Sequence, residues 1–308
     1  MPEAALILLG AVAFDLLVGE PPARLHPVVW IGRFQSTLRR FAPPTLGPAP
    51  AFIFGLGMAL AGPLLFGLGS WWALSLLAAV AFPLRLIAGV YLLKSAFAAR
   101  ALAAAAHAVR RPLEHDDLPA ARAALRSLVS RDTADLDAGE IAGAAIESVA
   151  ENASDSVVAP LFYYVVGGVP AAIAYRAVNT LDAMIGYRGP TEWLGKAAAR
   201  LDDAANFIPA RITALLLAVA SGAGGGSPVR ALALWLRDGR KTESPNAGRP
   251  MAAMAGALGV ELSKRGAYVL GAGMRAPGAG DLRRAVRIFA VAAAIAAGIA
   301  VAISGYGG

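Results

Sequence analysis

The chain has 308 residues, of which 57% are hydrophobic and 16% charged, and its mean hydropathy of +0.58 is too high for a typical soluble domain of this length. It contains no cysteine, which excludes disulfides, zinc–thiolate sites and cysteine nucleophiles. On so apolar a chain, the net charge of +7 indicates membrane topology and lipid headgroups, and we do not expect nucleic acid as a partner.

The first apolar run, residues 4–18, lacks the basic start and the small-residue cleavage site of a signal peptide, and the sequence GEPP ends it. We therefore predict a retained, rather short first crossing. Residues 51–93 are apolar for long enough to cross twice, with a turn predicted near residues 67–70. Residues 94–156 are polar and alanine-rich, which predicts a helical insertion outside the bilayer core.

Two later apolar regions are broken in the middle. Residues 157–175 are interrupted by VVGGVP and residues 212–236 by SGAGGGSP, so that each half is too short to span alone. A re-entrant hairpin is therefore an alternative to a crossing at both places. Residues 286–304 predict a full final crossing.

The predicted fold class is an all-α, polytopic helical membrane protein, with one integral domain over residues 1–308. It has about four full crossings and two broken hydrophobic hairpins. Basic residues concentrate after the first span and after the second broken region, which predicts that these loops are cytoplasmic. If both broken regions return, all polar loops share one cytoplasmic face; if both cross, there are six or more crossings and the loops are divided.

An acidic segment, GEIAGAAIESVAENASD at residues 139–155, carries the clearest chemical signal. On a helix its four acids, Glu140, Glu147, Glu151 and Asp155, fall in one narrow sector opposite an apolar face. Like charges at a spacing of four repel one another, so a cation between them would stabilise the helix. Mg²⁺, which binds one or two carboxylates together with substrate phosphates, is the predicted ion. A solvated acidic face is the alternative, and the neighbouring Asn152 favours the site.

Two more groups combine acids, amides and basic side chains at helical spacing. Acids beside guanidinium groups suit a metal–nucleotide site, because Arg binds phosphate through two donors while Asp holds the ion. A helix-end cluster and intrahelical salt bridges are the alternatives. The first group is Arg176, Asn179 and Asp182, and the second is Lys196, Arg200, Asp202, Asp203, Asn206 and the following Arg211.

The remaining candidates are His26 and Arg33 in the first loop and Asn246 in the turn SPNAGRP. The chain contains no GxxxxGK[ST], GxGxxG, HExxH or GxSxG motif. The residues alone thus predict a membrane enzyme with a carboxylate and arginine site for magnesium and phosphate.

Four stretches resemble, in this order, the signature stretches of the adenosylcobinamide-phosphate synthase family of cobalamin biosynthesis, the CobD/CbiB family. They are DLLVGEPPARLHPVVWIGR, ESVAENASDSVVAPLFYYVVGGVPAAIAYRAVNTLDAMIGYR, ARLDDAANFIPARITALL and SPNAGRPMAAMAGALGVEL. The resemblance runs from Asp15 to about Tyr268. It departs from the family at Arg249, where relatives have an aromatic residue.

The resemblance implies a multi-pass protein of the bacterial inner membrane with a cytoplasmic active face. It also implies an ATP-dependent ligase that joins the free propionate of adenosylcobyric acid to (R)-1-aminopropan-2-ol or its O-phosphate. Other membrane-bound cobalamin enzymes and a second copy of the chain are further potential partners. A corrinoid transporter or a membrane scaffold is the non-enzymatic alternative. A lipid phosphoalcohol transferase is disfavoured because its aspartate motif is absent.

Under this resemblance the candidate residues receive roles. The expected catalytic residues are Glu147, Glu151, Asp182, Asp203 and His26, and the expected Mg²⁺ ligands are Glu147, Glu151, Asp155, Asp202 and Asp203. The expected contacts to substrate or ATP are Asn152, Arg176, Asn179, Lys196, Arg200, Asn206, Arg211, Arg33 and Asn246.

Overall fold

A computed structural model of the chain describes residues 2–43, 47–187, 189 and 192–306. Within these ranges the regular elements are helices and one small antiparallel hairpin, in which Leu262 of β1 lies opposite Leu270 of β2. The elements are α1 (Glu3–Leu17), α2 (Pro27–Arg40), α3 (Pro48–Val80), α4 (Phe82–Ala96), α5 (Ala99–Glu114), α6 (Leu118–Leu125), α7 (Ala138–Ala153), a π-helical turn (Ser154–Val158), α8 (Ala159–Ile185), α9 (Glu192–Ala220), a 3-10 turn (Ser221–Gly224), α10 (Pro228–Asp238), α11 (Gly248–Leu258), β1 (Leu262–Lys264), β2 (Tyr268–Leu270) and α12 (Ala279–Tyr306).

Five helical segments of the described chain are long and apolar enough to cross a membrane, which confirms the predicted polytopic, all-α fold class. Helix α1 is not among them, because its 15 residues extend for only about 22 Å, less than the hydrocarbon layer. The five segments are Pro48–Val80, Phe82–Glu114, Ala138–Ile185, Glu192–Gly224 and Ala279–Tyr306.

The chain divides into two compact units. The first consists of Met1–Ala98, Ala159–Asn206 and Ala297–Gly308, and the second of Ala99–Val158 and Phe207–Ala296. Most of residues 94–156 therefore belong to the second unit, together with α10, α11 and the β-hairpin. The placement of residues 94–156 outside the bilayer and the single-domain organisation stay predictions.

The turn predicted near residues 67–70 is wrong, because α3 continues through it and the chain turns only at Ala81. The glycines of α3 serve close helix packing in the first unit. A Cβ on Gly67 would lie 3.0 Å from the Cβ of Ala174, and one on Gly55 would overlap the carbonyl oxygen of Leu194. Glycine at these positions therefore indicates close contact between helices, and not a turn.

Helix α8 is folded back on itself at Gly167 and Gly168, where the backbone is not helical and Gly168 has a φ of 68°. The rings of Tyr163 and Tyr175 stack with centroids 5.0 Å apart. In a straight helix, residues this far apart in sequence would be separated by roughly 18 Å. The first broken region is therefore a helical hairpin, which is one of the two alternatives that the sequence left open.

The second broken region also interrupts the helix where the sequence indicated. Helix α9 ends in the 3-10 turn, and Gly225 follows in a left-handed conformation. Ser227 then caps α10 by accepting a hydrogen bond from the backbone N–H of Arg230, and Pro228 occupies the first turn.

The close approach at Gly55 can be tested with alanine substitutions on two faces of α3. A Cβ at Gly57 meets no atom within 4 Å, so Gly57→Ala should stabilise the helix by up to about 1 kcal/mol. Gly55→Ala forces backbone apart and should cost about 1–3 kcal/mol. The melting temperatures of the two variants in detergent should therefore move in opposite directions. An equal rise in both would contradict the packing described here.

Candidate functional site

The first polar group lies in the first unit, where the second half of α8 faces α9 across the side chain of Asp202. Asn206 donates a hydrogen bond to Oδ2 of Asp202 at 3.0 Å, and Asn179 donates to Oδ1 at 3.3 Å. Arg176 in turn donates to Oδ1 of Asn179 at 3.0 Å. The structure thus joins four predicted site residues from two sequence segments into one network, which we call the Asp202 network.

Two tyrosines of the α8 hairpin complete the Asp202 network. Tyr175 donates to Oδ1 of Asn206 at 2.9 Å, and Tyr163 donates to the backbone carbonyl of Ala205 at 3.0 Å. Asn206 is buried and uses both ends of its amide, so its orientation is fixed. Neither tyrosine was predicted as a site residue; the only signal was an aromatic residue on each side of the glycine break.

Other predicted residues of this region have different surroundings. The ammonium of Lys196 lies 3.9 Å from the ring centroid of Trp193, and Arg200 is exposed. Asp203 follows Asp202 directly and is close enough to repel its charge. Asp203 and Asp182 each make another polar interaction. No hydrogen bond between described residues links Lys196 or Arg200 to the Asp202 network.

The second polar group lies in the second unit, on α7. Glu147 is only 5% exposed, and its Oε2 lies 3.1 Å from a guanidinium nitrogen of Arg131. Its other oxygen, Oε1, is buried without a well-formed hydrogen bond to any described residue. The pKa of Tyr268 is raised, mainly by burial and to a smaller extent by the negative charges of Glu147 and Glu151. The hydroxyl of Tyr268 donates to Sδ of Met251 at 3.8 Å. We call Glu147, Glu151, Arg131 and Tyr268 the Glu147 group; sequence reasoning missed the last two.

The predicted row of four acids along this helix is only partly maintained. Asp137 and Glu140 form a capping box at the start of α7, and Glu140 also pairs with Arg265. At the other end Asp155 lies within the π-helical turn, whose wider register shifts it from the sector expected at 100° per residue. Glu147 and Glu151 remain close enough to repel each other.

Asn152 has a local role beside this pair. Its amide donates to the carbonyl and to Oγ of Ser148, at 3.0 and 3.2 Å, and accepts from Oγ of Ser156. Ser148 also donates to the carbonyl of Leu128 at 2.9 Å. Asn152 therefore bridges the end of α7 and the π-helical turn, and it helps to hold the helix that carries Glu147.

A metal ion fits the Glu147 group better than it fits the Asp202 network. In the described ranges, no three acid or histidine side chains converge in a way that could hold a metal alone. Both oxygens of Asp202 already accept hydrogen bonds, whereas Oε1 of Glu147 is available beside Glu151. Two carboxylates suit Mg²⁺ when substrate phosphates and water supply the remaining ligands.

The third polar group lies in the second unit and joins two predicted residues. Arg211 on α9 donates a hydrogen bond to Oδ1 of Asn246 at 3.3 Å and stacks over the ring of Phe207. Asn246 is buried in the turn that precedes α11. Arg240 and Arg249 lie within electrostatic range of Arg211. The SPNAGRP turn is therefore a basic region.

His26 belongs to a chain of charged side chains in the first unit. Its Nδ1 accepts from the backbone N–H of Val28, so Nε2 carries the proton and faces Glu20 at 2.9 Å. Glu20 also binds Lys94, which is fully buried and lies 3.1 Å from Asp15. Both nitrogens of His26 are thus engaged, and a general base here would first have to lose one partner.

Arg33, the last predicted residue, is exposed on α2. Its backbone carbonyl accepts from Oγ1 of Thr37 at 2.9 Å. The structure does not connect its guanidinium to another candidate residue among those described.

Comparison with known proteins identifies one family. A profile described as "CobD/Cbib protein" matches residues 8–297. The chain is 45% identical over 273 residues to "Cobalamin biosynthesis protein CobD" of Dehalococcoides mccartyi, covering 89% of this chain and 88% of that protein. It is 44% identical over 272 residues to "Probable cobalamin biosynthesis protein CobD" of Methanothermobacter thermautotrophicus, covering 88% of each. A Klebsiella pneumoniae "Cobalamin biosynthesis protein CobD" is 38% identical over 292 residues, covering 92% of each. No solved structure matches significantly.

The Glu20 contacts predict a pH dependence of stability. Burial raises the pKa of Glu20, but hydrogen bonds from His26 and Lys94 outweigh it and lower the pKa below its ordinary value of 4.5. A carboxylate with a lowered folded-state pKa contributes stability above its unfolded pKa and loses it as the pH falls through the folded value. Glu20→Gln should therefore lower the melting temperature at pH 7, and the difference from wild type should shrink below pH 4.5. The exposed Asp135→Asn serves as control, and a difference between Glu20→Gln and wild type that does not depend on pH would contradict the assignment.

Proposed function

The chain belongs to the CobD/CbiB family of cobalamin biosynthesis proteins, and on this premise we propose that it is an ATP-dependent amide ligase. It would join the free propionate of adenosylcobyric acid to (R)-1-aminopropan-2-ol or its O-phosphate. The product would be adenosylcobinamide or its phosphate. Its proposed location is the bacterial cytoplasmic membrane, with the site on the cytoplasmic face and in contact with other membrane-bound enzymes of the pathway.

The observation that carries the proposal is the state of Glu147. Its carboxylate is buried, holds Arg131 through one oxygen and keeps the other oxygen without a well-formed hydrogen bond to any described residue. Burying a carboxylate that has only one well-formed hydrogen-bond partner is costly, so such a group favours a cation or a substrate proton donor. A purely structural ion pair would have both oxygens satisfied.

Glu147 and Glu151 are the residues that would hold Mg²⁺, with Asp155, Asp202 and Asp203 as further candidates. When bound with ATP, the ion would neutralise part of the triphosphate charge. In the second unit, Arg211 would supply guanidinium donors to the phosphoryl oxygens, and Arg176 and Arg200 of the first unit remain proposed contacts to substrate or ATP.

The proposed reaction has two steps. An oxygen of the propionate attacks the γ-phosphorus of ATP, the bond to the bridging oxygen breaks, and ADP leaves an acyl phosphate. The amine nitrogen then attacks the acyl carbon, phosphate leaves, and the nitrogen loses a proton to a base. Asp182, Asp203, Glu151 and His26 are the candidate bases, and His26 would first have to release one of its two partners.

The remaining candidates would position the substrates. Asn179 and Asn206 are held against Asp202, and their fixed amides could orient the polar side chains of a corrinoid. Asn152 keeps α7 and the π-helical turn in register. Lys196, Arg33 and Asn246 remain proposed contacts to substrate or ATP.

A corrinoid transporter is the second candidate, and the α8 hairpin supports it. Broken helices beside polar groups form the binding sites of many transporters, and the Asp202 network lies against this hairpin. Transport requires no amide product and no coupled release of ADP.

The two functions can be separated with the detergent-purified protein. It is incubated with adenosylcobyric acid, ATP, Mg²⁺ and either the amine or its O-phosphate, and product mass and ADP are measured. One amide product with equimolar ADP is expected, and the amine that reacts identifies the substrate. Folded protein that yields neither product nor ADP with either amine would overturn the ligase in favour of the transporter or scaffold.

Variants on α7 test the role of the Glu147 group. Glu147→Gln and Glu151→Gln should each lower kcat by about 10²–10³-fold, because each removes charge stabilisation at the proposed site. Glu140→Gln on the same helix is the matched control, since Gln preserves a capping box, and it should keep normal turnover. Normal turnover in folded Glu147→Gln and Glu151→Gln would remove this group from the mechanism.

A further inference from the structure

Three arginines gather around the turn before α11. Arg211 reaches the turn through Asn246, and Arg249 donates to the carbonyl of Pro245 at 3.4 Å. A Cβ on Gly239 would lie 3.1 Å from Cδ of Arg249, which places the Arg249 side chain beside the residue that precedes Arg240. Among the described residues, no carboxylate forms an ion pair with any of the three.

Several other basic side chains of the second unit are held by acids or by backbone carbonyls. Arg122 and Arg230 donate to the carbonyls of Leu136 and Gly256. Elsewhere in the second unit, Arg237 and Lys241 pair with Asp238, Arg265 with Glu140, and Arg275 with Asp281. Arg249 is only 9% exposed. Its pKa is lowered mainly by this burial and also by the positive charge of Arg240. The protein thus holds positive charges together at a cost that an anion would offset.

The backbone at this turn is largely satisfied within the chain. Oγ of Ser244 accepts from the N–H groups of Asn246 and Ala247 at 3.2 and 3.5 Å, and the N–H of Arg249 donates to the carbonyl of Asn246 at 2.9 Å. The donors that the turn offers to a ligand are therefore the guanidinium groups, which bind phosphate oxygens through charge-assisted hydrogen bonds.

We propose that Arg211, Arg240 and Arg249 form a binding site for a phosphate group of a substrate. The inference rests on the proposed function, under which two substrates carry phosphate: ATP and the O-phosphate of the amine. Of the three arginines, only Arg211 was identified as a candidate from the sequence. Arg240 and Arg249 are added by the structure.

Equilibrium binding to the full-length protein in detergent distinguishes the sources. The probes are ATP, (R)-1-aminopropan-2-ol O-phosphate and the unphosphorylated amine. Arg240→Gln and Arg249→Gln should each weaken binding of one phosphorylated probe by at least about tenfold, because each removes a charge-assisted hydrogen bond. Binding of the unphosphorylated amine should not change. The probe that is weakened identifies the phosphate source.

The control is Arg265→Gln, which removes an equal charge outside the turn and should leave affinity unchanged. Because Arg249 is nearly buried, the exposed Arg240→Gln keeps the test valid if Arg249→Gln fails to fold. Wild-type affinity for both phosphorylated probes in Arg240→Gln would overturn the site, as would an equal loss in Arg265→Gln. If wild type forms the amide product and the variants keep unchanged KM values, the phosphate site is rejected and the ligase is retained. If the variants lose phosphate binding but wild type forms no amide product, the ligase is rejected and the phosphate site is retained.

Discussion

The reversal of α8 at Gly167 and Gly168 is the constraint on which the polar interior of the first unit depends. Without it, Tyr163 and Tyr175 would be separated by several helical turns, and only one of them could reach α9. Because the hairpin is closed by stacked aromatic rings, both hydroxyls contact adjacent residues of α9. Asn206 is thereby fixed against Asp202. A backbone feature of two glycines thus determines the orientation of a carboxylate on another helix.

The second unit contains charged groups that have no partner of opposite charge among the described residues. Several of its acids and arginines form ion pairs. Among the described residues, however, Glu147 retains an oxygen without a well-formed hydrogen bond, and the arginines at the turn before α11 form no ion pair with an acid. These unmatched charges have opposite sign. A protein that binds a metal–phosphate ligand requires both, because carboxylates hold the metal ion and guanidinium groups bind the phosphate oxygens. Glu140 and Arg265 form a structural ion pair in this same unit. They are therefore suitable controls for Glu147 and for the unmatched arginines.

Much of the fold could be predicted from the sequence because helix breaks and apolar length are local properties. The GG break in α8 and the Gly-rich break after α9 lie where the sequence indicated. The predicted turn in α3 failed because glycine has two uses, and close packing against Ala174 and Leu194 is visible only in three dimensions.

The candidate site was predictable in composition but not in connectivity. Helical spacing identified Arg176, Asn179, Asp202 and Asn206, yet not that Asn179 and Asn206 bind the same carboxylate. Periodicity placed Asp155 with Glu151, and the π-helical turn shifted it. Arg131 and Tyr268 were missed because both are distant in sequence from Glu147.

The complete burial of Lys94 has a consequence for how the chain assembles in a bilayer. Its ammonium is matched by Asp15 at the end of α1 and by Glu20 just beyond it. An uncompensated ammonium among apolar helices is costly, so α4 reaches its final depth only once α1 is beside it. Helix α1, which is too short to cross by itself, thus contributes the negative charge that Lys94 requires. We expect α4 to insert fully only after α1 has packed against it.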